Sequence, residues 1–419
     1  MVIKNGLSAW RDDEIDINKE IKAGAEIDRT SFYSFYLEYD KDGRKFQGNT
    51  QLDIIRRAIA ASKKPVYLVV YANSWQNNAN TGVDPSSDAI SFPYLLARRS
   101  FENPDMNVIG VFVGWSGKKY KDIIPIGLTV RDRADVADAI GKKGEVRSDI
   151  ISLVSNVNKN NPSGYSLIMG KSFGARLLSQ AFMEDLVQIK QVKDWPLGDN
   201  SLLVTLNSAI GANAFDEFYK KMLDTDSKTN ITLQRPLWLN LTSKDDKATR
   251  WLYPSARFIG QNLSKRAGSK NHKTIGHYDK YLSYEVTVTN YLDENVDCNF
   301  INAEDILNNN TAWFKIPEKP YKCATRHLYK NTKYMKPYSQ YYTTILRPLD
   351  ESPNRDKFLG YMWNFRADES VIEQDEIEAK KNKSYGKHNA YVQTTLGRML
   401  DDMLFTPPES LTTSESTYN

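Results

Sequence analysis

Apolar and polar positions change their period repeatedly along this chain, and those changes mark its elements. In SFYSFYLEYD (31–40) aromatic and polar residues alternate as in a half-buried strand, while QLDIIRRAIA (51–60) has helical period. PVYLVVYA (65–72) and MNVIGVFVGW (106–115) are nearly continuous apolar runs rich in β-branched residues, the pattern of central parallel strands covered on both faces. Helix-like SFPYLLARRSF lies between them, and a helical stretch covers roughly 131–157. After the loop NKNNPSG, YSLIMG repeats the central-strand pattern, and SLLVTLNSAI (201–210) and RPLWLNLTS (235–243) repeat it again across helix-like AFDEFYKKMLD. Strands alternating with helices at this spacing predict βαβ units, hence an α/β fold with a doubly wound, mostly parallel sheet. In such sheets ligands gather beyond the carboxyl ends of the strands.

The flanks read differently. Residues 1–30 are polar and charged and predict a surface extension; the main domain spans 31–405. Residues 294–357 are poor in core strands and rich in Asn, Lys, Tyr and Pro, which predicts an insertion or cap before the last strand, FLGYMWNFRAD (358–368). A charged loop (369–389) and an amphipathic helix, AYVQTTLGRMLDDML, complete the domain. The Pro/Ser/Thr-rich residues 406–419 have the composition of a disordered tail.

The centre of YSLIMGKSFGARLL (165–178) admits two chemistries. A phosphate-binding loop needs four residues between its first Gly and its Gly-Lys-Ser, but here five separate Gly164 from Gly170, and they form an apolar strand. The alternative is a Gly-x-Ser-x-Gly nucleophile elbow: a strand, a strained turn that presents Ser172, clearance at Gly170 and Gly174, then a helix. ARLLSQAFMEDLV supplies that helix, with Leu177, Leu178, Ala181 and Phe182 on one face. Ser172 is therefore the candidate nucleophile.

Composition narrows the rest. With 419 residues, 40% hydrophobic, the chain is long enough for a sizeable core. Its 56 basic and 52 acidic residues are too balanced to argue for nucleic-acid binding, and no nucleic-acid partner is expected. The longest apolar runs fall far short of the ~20 residues a membrane helix needs, so no transmembrane segment is expected. The charged amino terminus gives no signal peptide, which predicts a cytoplasmic chain or one exported by a signal-independent route. Cys298 and Cys323 fit a reduced compartment, and no Cys or His spacing suggests a metal site; neither metal nor cofactor is expected. A general base must come from His272, His277, His327 or His388.

Several ordered motifs resemble the α/β-hydrolase superfamily, and within it a sparsely characterised bacterial esterase/lipase-like group. NSWQNNA (73–79) is similar to that group's His-Gly-Trp-Lys-His-Asn-Ala oxyanion loop, VIGVFVGWSG (108–117) to its Val-Gly-Val-Tyr-Val-Gly-Trp-Arg-Gly segment, and GKSFG to its Gly-His-Ser-Phe-Gly. SKDDKAT (243–249) is similar to its Ser-x-x-Asp-x-Ala-Thr segment. The likeness covers roughly 31–290, with an echo in YMWNFRADESVI.

The resemblance implies a triad in the order Ser, acid, His. It selects Asp246, with Asp245 as the alternate, as the acid after a buried strand; helix-capping carboxylates are the plainer reading of both. The base expected after the last strand is His388, with His277 in TIGHYDKY as the rival. The oxyanion hole is expected at the Phe173 N–H and in the loop after 65–72, from Asn73 and Ser74, with the Asn73 side-chain amide as an added donor. The implied activity is cleavage of carboxylic esters through an acyl-enzyme on Ser172, with a small-molecule or lipid ester as substrate. Residues 313–347 hold eight Lys/Arg against one Glu with six tyrosines interleaved, a surface suited to peripheral contact with anionic lipid or to a solvated cover. The chain departs from the group at Asn73, Ser74 and Lys171, and His388 follows Asp368 by some twenty residues. Those departures also fit a degenerate scaffold that binds without turnover.

Overall fold

In the computed structural model, the described residues are 2–4, 32–46, 48–74, 88–115, 126–143, 145–229, 235–252, 273–282, 284–290, 322–327, 342–348, 361–368, 371–372, 394–405 and 408. The apolar runs become the strands of one sheet. In chain order these are β1 (Val2–Lys4), β2 (Phe32–Tyr39), β3 (Val66–Ala72), β4 (Asn107–Trp115), β5 (Tyr165–Lys171), β6 (Ser201–Leu206), β7 (Trp238–Ser243), β8 (Tyr284–Asn290), β9 (Lys322–His327), β10 (Tyr342–Pro348) and β11 (Met362–Ala367). Their order in the sheet is β1-β2-β4-β3-β5-β6-β7-β11-β8-β10-β9. From β2 to β11 every neighbouring pair is parallel. β8 joins β11 in parallel over three residue pairs, β10 and β9 extend that edge antiparallel, and β1 closes the other edge antiparallel to β2.

Parallel strands buried on both faces must be apolar on both, and β3 is: all seven of its residues are buried. Alternation sends Leu68, Val70 and Ala72 to one face and Tyr67, Val69 and Tyr71 to the other. The first face is covered by α1 (Thr50–Ala60), α3 (Ile126–Lys143), α4 (Glu145–Asn160), α5 (Phe173–Gln188) and α6 (Ala212–Thr229). The second is covered by α2 (Asp88–Glu102) through Phe92, Leu95 and Leu96, and by α7 (Thr394–Phe405) through Leu396, Met399 and Leu400. This is an α/β architecture with helices on both faces of a parallel sheet, as the periodicity predicts.

A buried polar ladder crosses the middle of the sheet. The Trp238 indole donates to Thr205 Oγ1 (2.8 Å), Thr205 donates to Asn240 Oδ1 (2.8 Å), and the Asn240 amide donates to Asn364 Oδ1 (2.6 Å). Asn364 in turn donates to the carbonyls of Ile275 (3.1 Å) and Tyr281 (2.7 Å). The ladder therefore fixes the register of β6, β7 and β11 and ties the segment 273–282 onto the sheet, since a one-residue slip would turn every member to the wrong face.

The stretch read as an insertion contributes β9 and β10 to the sheet edge; the rest of 294–357, most of 313–347, all but residues 2–4 of 1–30, and all but residue 408 of 406–419 lie outside the described residues. Among the described residues no helix is long and apolar enough to cross a membrane.

Candidate active site at the carboxyl end of the sheet

Ser172 is the turn between β5 and α5. Its backbone sits at φ 54, ψ −113, a strained conformation for any residue with a Cβ and one that costs on the order of 1–3 kcal/mol. The turn is pinned on both sides. The Ser172 N–H donates to the Leu206 carbonyl (2.9 Å), and its own carbonyl accepts from the N–H groups of Arg176 and Ala209 (3.1 Å each). The two elbow glycines have a steric reason. A Cβ on Gly170 would lie 2.7 Å from the Gly174 carbonyl oxygen, and one on Gly174 would collide with the carbonyl oxygens of Ala72 and Asn73. The helix thus crosses directly over the ends of β5 and β3, with its N-terminal dipole at Ser172 and no acidic residue in its first turn. The serine is 5% exposed.

Alternation along β5 puts Lys171 on the same face as Leu167 and Met169, the face covered by α2. There its ammonium, 2% exposed, meets Asp88 Oδ1 at 2.7 Å. The other oxygen of that carboxylate accepts both the N–H (2.9 Å) and the hydroxyl (2.6 Å) of Ser74. Burial alone would push the Asp88 carboxyl up, but Lys171 and the Ser74 hydrogen bonds outweigh it and hold the acid below its ordinary range. One carboxylate therefore couples the residue before the nucleophile to the loop after β3. The same loop is clasped from β4, where the Trp115 indole donates to the Asn73 carbonyl (3.1 Å) and the Val113 carbonyl accepts the Asn73 N–H (3.2 Å).

The oxyanion donors read from the sequence are thus distributed unequally. Phe173 opens α5 next to Ser172, while the backbone N–H groups of Asn73 and Ser74 are engaged by Val113 and Asp88. The Asn73 carboxamide is fully buried, and neither its Nδ2 nor its Oδ1 has a hydrogen-bond partner among the described residues.

Of the two acid candidates, Asp245 is exposed and Asp246 fully buried. Asp246 Oδ1 accepts the N–H groups of Ala248 (2.9 Å) and Thr249 (3.2 Å), as a carboxylate does when it caps a helical turn, and Oδ2 accepts the Thr249 hydroxyl. Thr249 Oγ1 also lies 3.2 Å from His277 Nε2, so threonine stands between acid and imidazole. His277 is carried by a 3-10 turn, Ile275–His277, held by Asn364 and by the Ile275 N–H on the Ile210 carbonyl (3.0 Å). Gly276 permits its close approach to β7, since a Cβ there would collide with the Thr242 side chain. Burial pushes the imidazole pKa down to about 4 against the opposing pull of Asp246, with Arg250, Arg366 and Lys273 lowering it further.

β11 lies beside β7, the strand that Asp246 follows by three residues. His388 and His272 lie outside the described residues. His327 ends β9, the edge strand six places along the sheet from β5, which removes it from Ser172.

Asp88 and Thr249 were not singled out from the sequence. One signal was present: Lys171 shares its face with Leu167 and Met169, and a lysine buried there needs a carboxylate. The Arg176 guanidinium adds a further brace, pairing with Asp138 (2.6 Å) and donating to the Ala209 carbonyl (3.0 Å) on the loop that bonds Ser172. Among the described residues no group of three or more His, Cys, Asp or Glu side chains is placed to hold a metal ion. No family model matches the chain, and searches of the curated proteins and of the solved structures return no match, so the reading of this site rests on its geometry.

Proposed function

We propose that the chain is a serine hydrolase of the α/β-hydrolase type that cleaves carboxylic esters through an acyl-enzyme on Ser172. The observation that carries this reading is the strained backbone of Ser172 at a strand-to-helix turn, framed by two glycines that admit no Cβ. Backbone strain of this kind persists where the surroundings over-determine it, and it serves to hold a hydroxyl clear of the sheet.

In the reaction, Ser172 Oγ bonds to the acyl carbon while a histidine nitrogen takes the hydroxyl proton. The C–O bond to the alcohol then breaks and the alcohol leaves with that proton. Water repeats the sequence on the acyl-enzyme and releases the acid. Asp246, buried at the end of β7, stabilises the imidazolium. The base is His388 by chain order and His277 by proximity to Asp246 through Thr249.

The test is labelling by a fluorophosphonate, which phosphonylates activated serines, on the intact chain and on Ser172→Ala, His388→Ala and His277→Ala. Labelling lost with Ser172 and with one histidine is expected. A folded chain that takes no label contradicts the hydrolase reading and leaves a binding protein on a hydrolase-like scaffold.

A further inference from the structure

The loop after β6 is shared by two parts of the site. On one side the Ala209 N–H donates to the Ser172 carbonyl (3.1 Å), and the Arg176 guanidinium donates to the Ala209 carbonyl (3.0 Å). Just beyond, the Ile210 carbonyl accepts the Ile275 N–H (3.0 Å) and the Ala212 N–H donates to the Lys273 carbonyl (2.9 Å). The stretch 209–212 therefore braces the elbow and also carries the 3-10 turn that ends in His277. His277 is only 7% exposed, so the bond its imidazole makes inside the fold decides which ring nitrogen carries the proton.

Among the described residues the imidazole is bonded by Thr249. The Thr249 hydroxyl donates to Asp246 Oδ2, and its oxygen lies 3.2 Å from His277 Nε2. A threonine hydroxyl has one proton and two lone pairs, whereas a carboxylate only accepts. The proton is committed to Asp246, so toward the imidazole the same oxygen can only accept. Nε2 must then carry the hydrogen, which leaves Nδ1 as the unprotonated nitrogen of the neutral ring. The hydroxyl is held in that role by its own backbone: Asp246 Oδ1 accepts the N–H groups of Ala248 (2.9 Å) and of Thr249 itself (3.2 Å), which closes acid and threonine into one turn. Thr249 and Asp246 are both buried, where such bonds are stronger than in water.

We propose that Thr249 is a positioning residue: its hydroxyl, bonded between Asp246 and His277, holds the imidazole as the Nε2–H tautomer and presents Nδ1 as the nitrogen that takes a proton. The proposal deepens the acyl-transfer reading and rests on it. In that reaction the Ser172 hydroxyl proton passes to Nδ1 as Oγ bonds to the acyl carbon. The imidazolium then donates through Nε2 to the Thr249 oxygen, which donates to Asp246, and no proton moves along that line. The acid thus acts on the base through a hydroxyl rather than by direct contact.

The experiment reads the imidazole nitrogens of the full chain by two-bond ¹H–¹⁵N correlation at neutral pH, with His277→Gln identifying the His277 signals, and measures the second-order rate of fluorophosphonate labelling. Thr249→Val removes the hydroxyl and keeps the shape; Thr249→Ser restores the hydroxyl. The parent should show a protonated Nε2 and a bare Nδ1. Thr249→Val should lose that fixed tautomer and label slower by about 10²-fold, the low end of what a correctly protonated base contributes, and serine should restore both. A proton on Nδ1 in the neutral ring of the parent overturns the proposal. So does a Thr249→Val chain that keeps the tautomer or the parent rate, slower labelling that serine does not restore, or labelling undiminished in His277→Gln. If valine prevents folding, the parent spectrum still decides the tautomer and Thr249→Ala carries the rate comparison. A parent chain that takes no label overturns the acyl-transfer reading, and the role of Thr249 in it; a labelled chain with the other tautomer overturns this proposal alone, which separates the two failures.

Discussion

Two buried asparagines differ in how the fold uses their carboxamides: one is fully bonded, and the other has no partner among the described residues. Asn364, on β11, is 3% exposed and fully employed: it accepts from Asn240 and donates to the carbonyls of Ile275 and Tyr281. Asn73, at the end of β3, is equally buried and its carboxamide has no partner among the described residues. Both side chains paid a similar desolvation on folding, yet among the described residues only Asn364 recovers it. Asn364 ties three strands and the His277 turn into one unit. Asn73 sits where Ser172 is strained, so strain and unmet hydrogen-bonding capacity coincide at the carboxyl end of the sheet.

Substitutions sharpen this contrast, beginning with the largest effect. Lys171→Met leaves Asp88 as an uncompensated buried charge, so urea denaturation should show a loss of about 3–5 kcal/mol; equal stability would mean that the ion pair does not hold the β3 loop. Asn364→Leu strands the Asn240 amide and two carbonyls, and a loss of about 3 kcal/mol is expected in the same assay.

Acid should act through His277. Its folded pKa, about 4, lies below the ordinary 6.5, so between these values the unfolded chain binds the extra proton. Stability on this account is complete above pH 6.5 and falls by about 3 kcal/mol as pH drops to 4. His277→Gln should flatten that part of the stability profile, measured by denaturation across pH. The same value separates the two bases: an acid limb of kcat/KM near pH 4 identifies His277, whereas a limb near the ordinary histidine range identifies another histidine.

The smallest stability effect is the one opposite in sign. Asn73→Leu should gain about 1 kcal/mol, the reverse of Asn364→Leu. A loss at both positions would erase the distinction between them.

How much of this was legible in the sequence follows from which forces are local. β3 and β4 are apolar on both faces and announce themselves as runs, while β5, β6, β7 and β11 keep enough apolar positions around Lys171, Thr205, Asn240 and Asn364 to read as strands. β9, KCATRH, and β10, YTTILRP, at the antiparallel edge, carry polar residues within short segments and read as part of an insertion. Ser172 was legible because an elbow is written in five consecutive residues, GKSFG. Its supports were not. Asp88 lies 83 residues from Lys171, and Thr249 reaches His277 across 28 residues, so sheet order alone brings them together. The engagement of the Asn73 and Ser74 N–H groups was equally hidden, since it depends on Val113 and on the first residue of α2.

The most direct test of the central claim is to react the folded chain with a fluorophosphonate, digest it, and locate the adduct by peptide mass. One phosphonyl group on Ser172, absent from Ser172→Ala and prevented by prior unfolding, is the expected result. An unmodified Ser172 in folded protein, or an adduct on another residue, would contradict it.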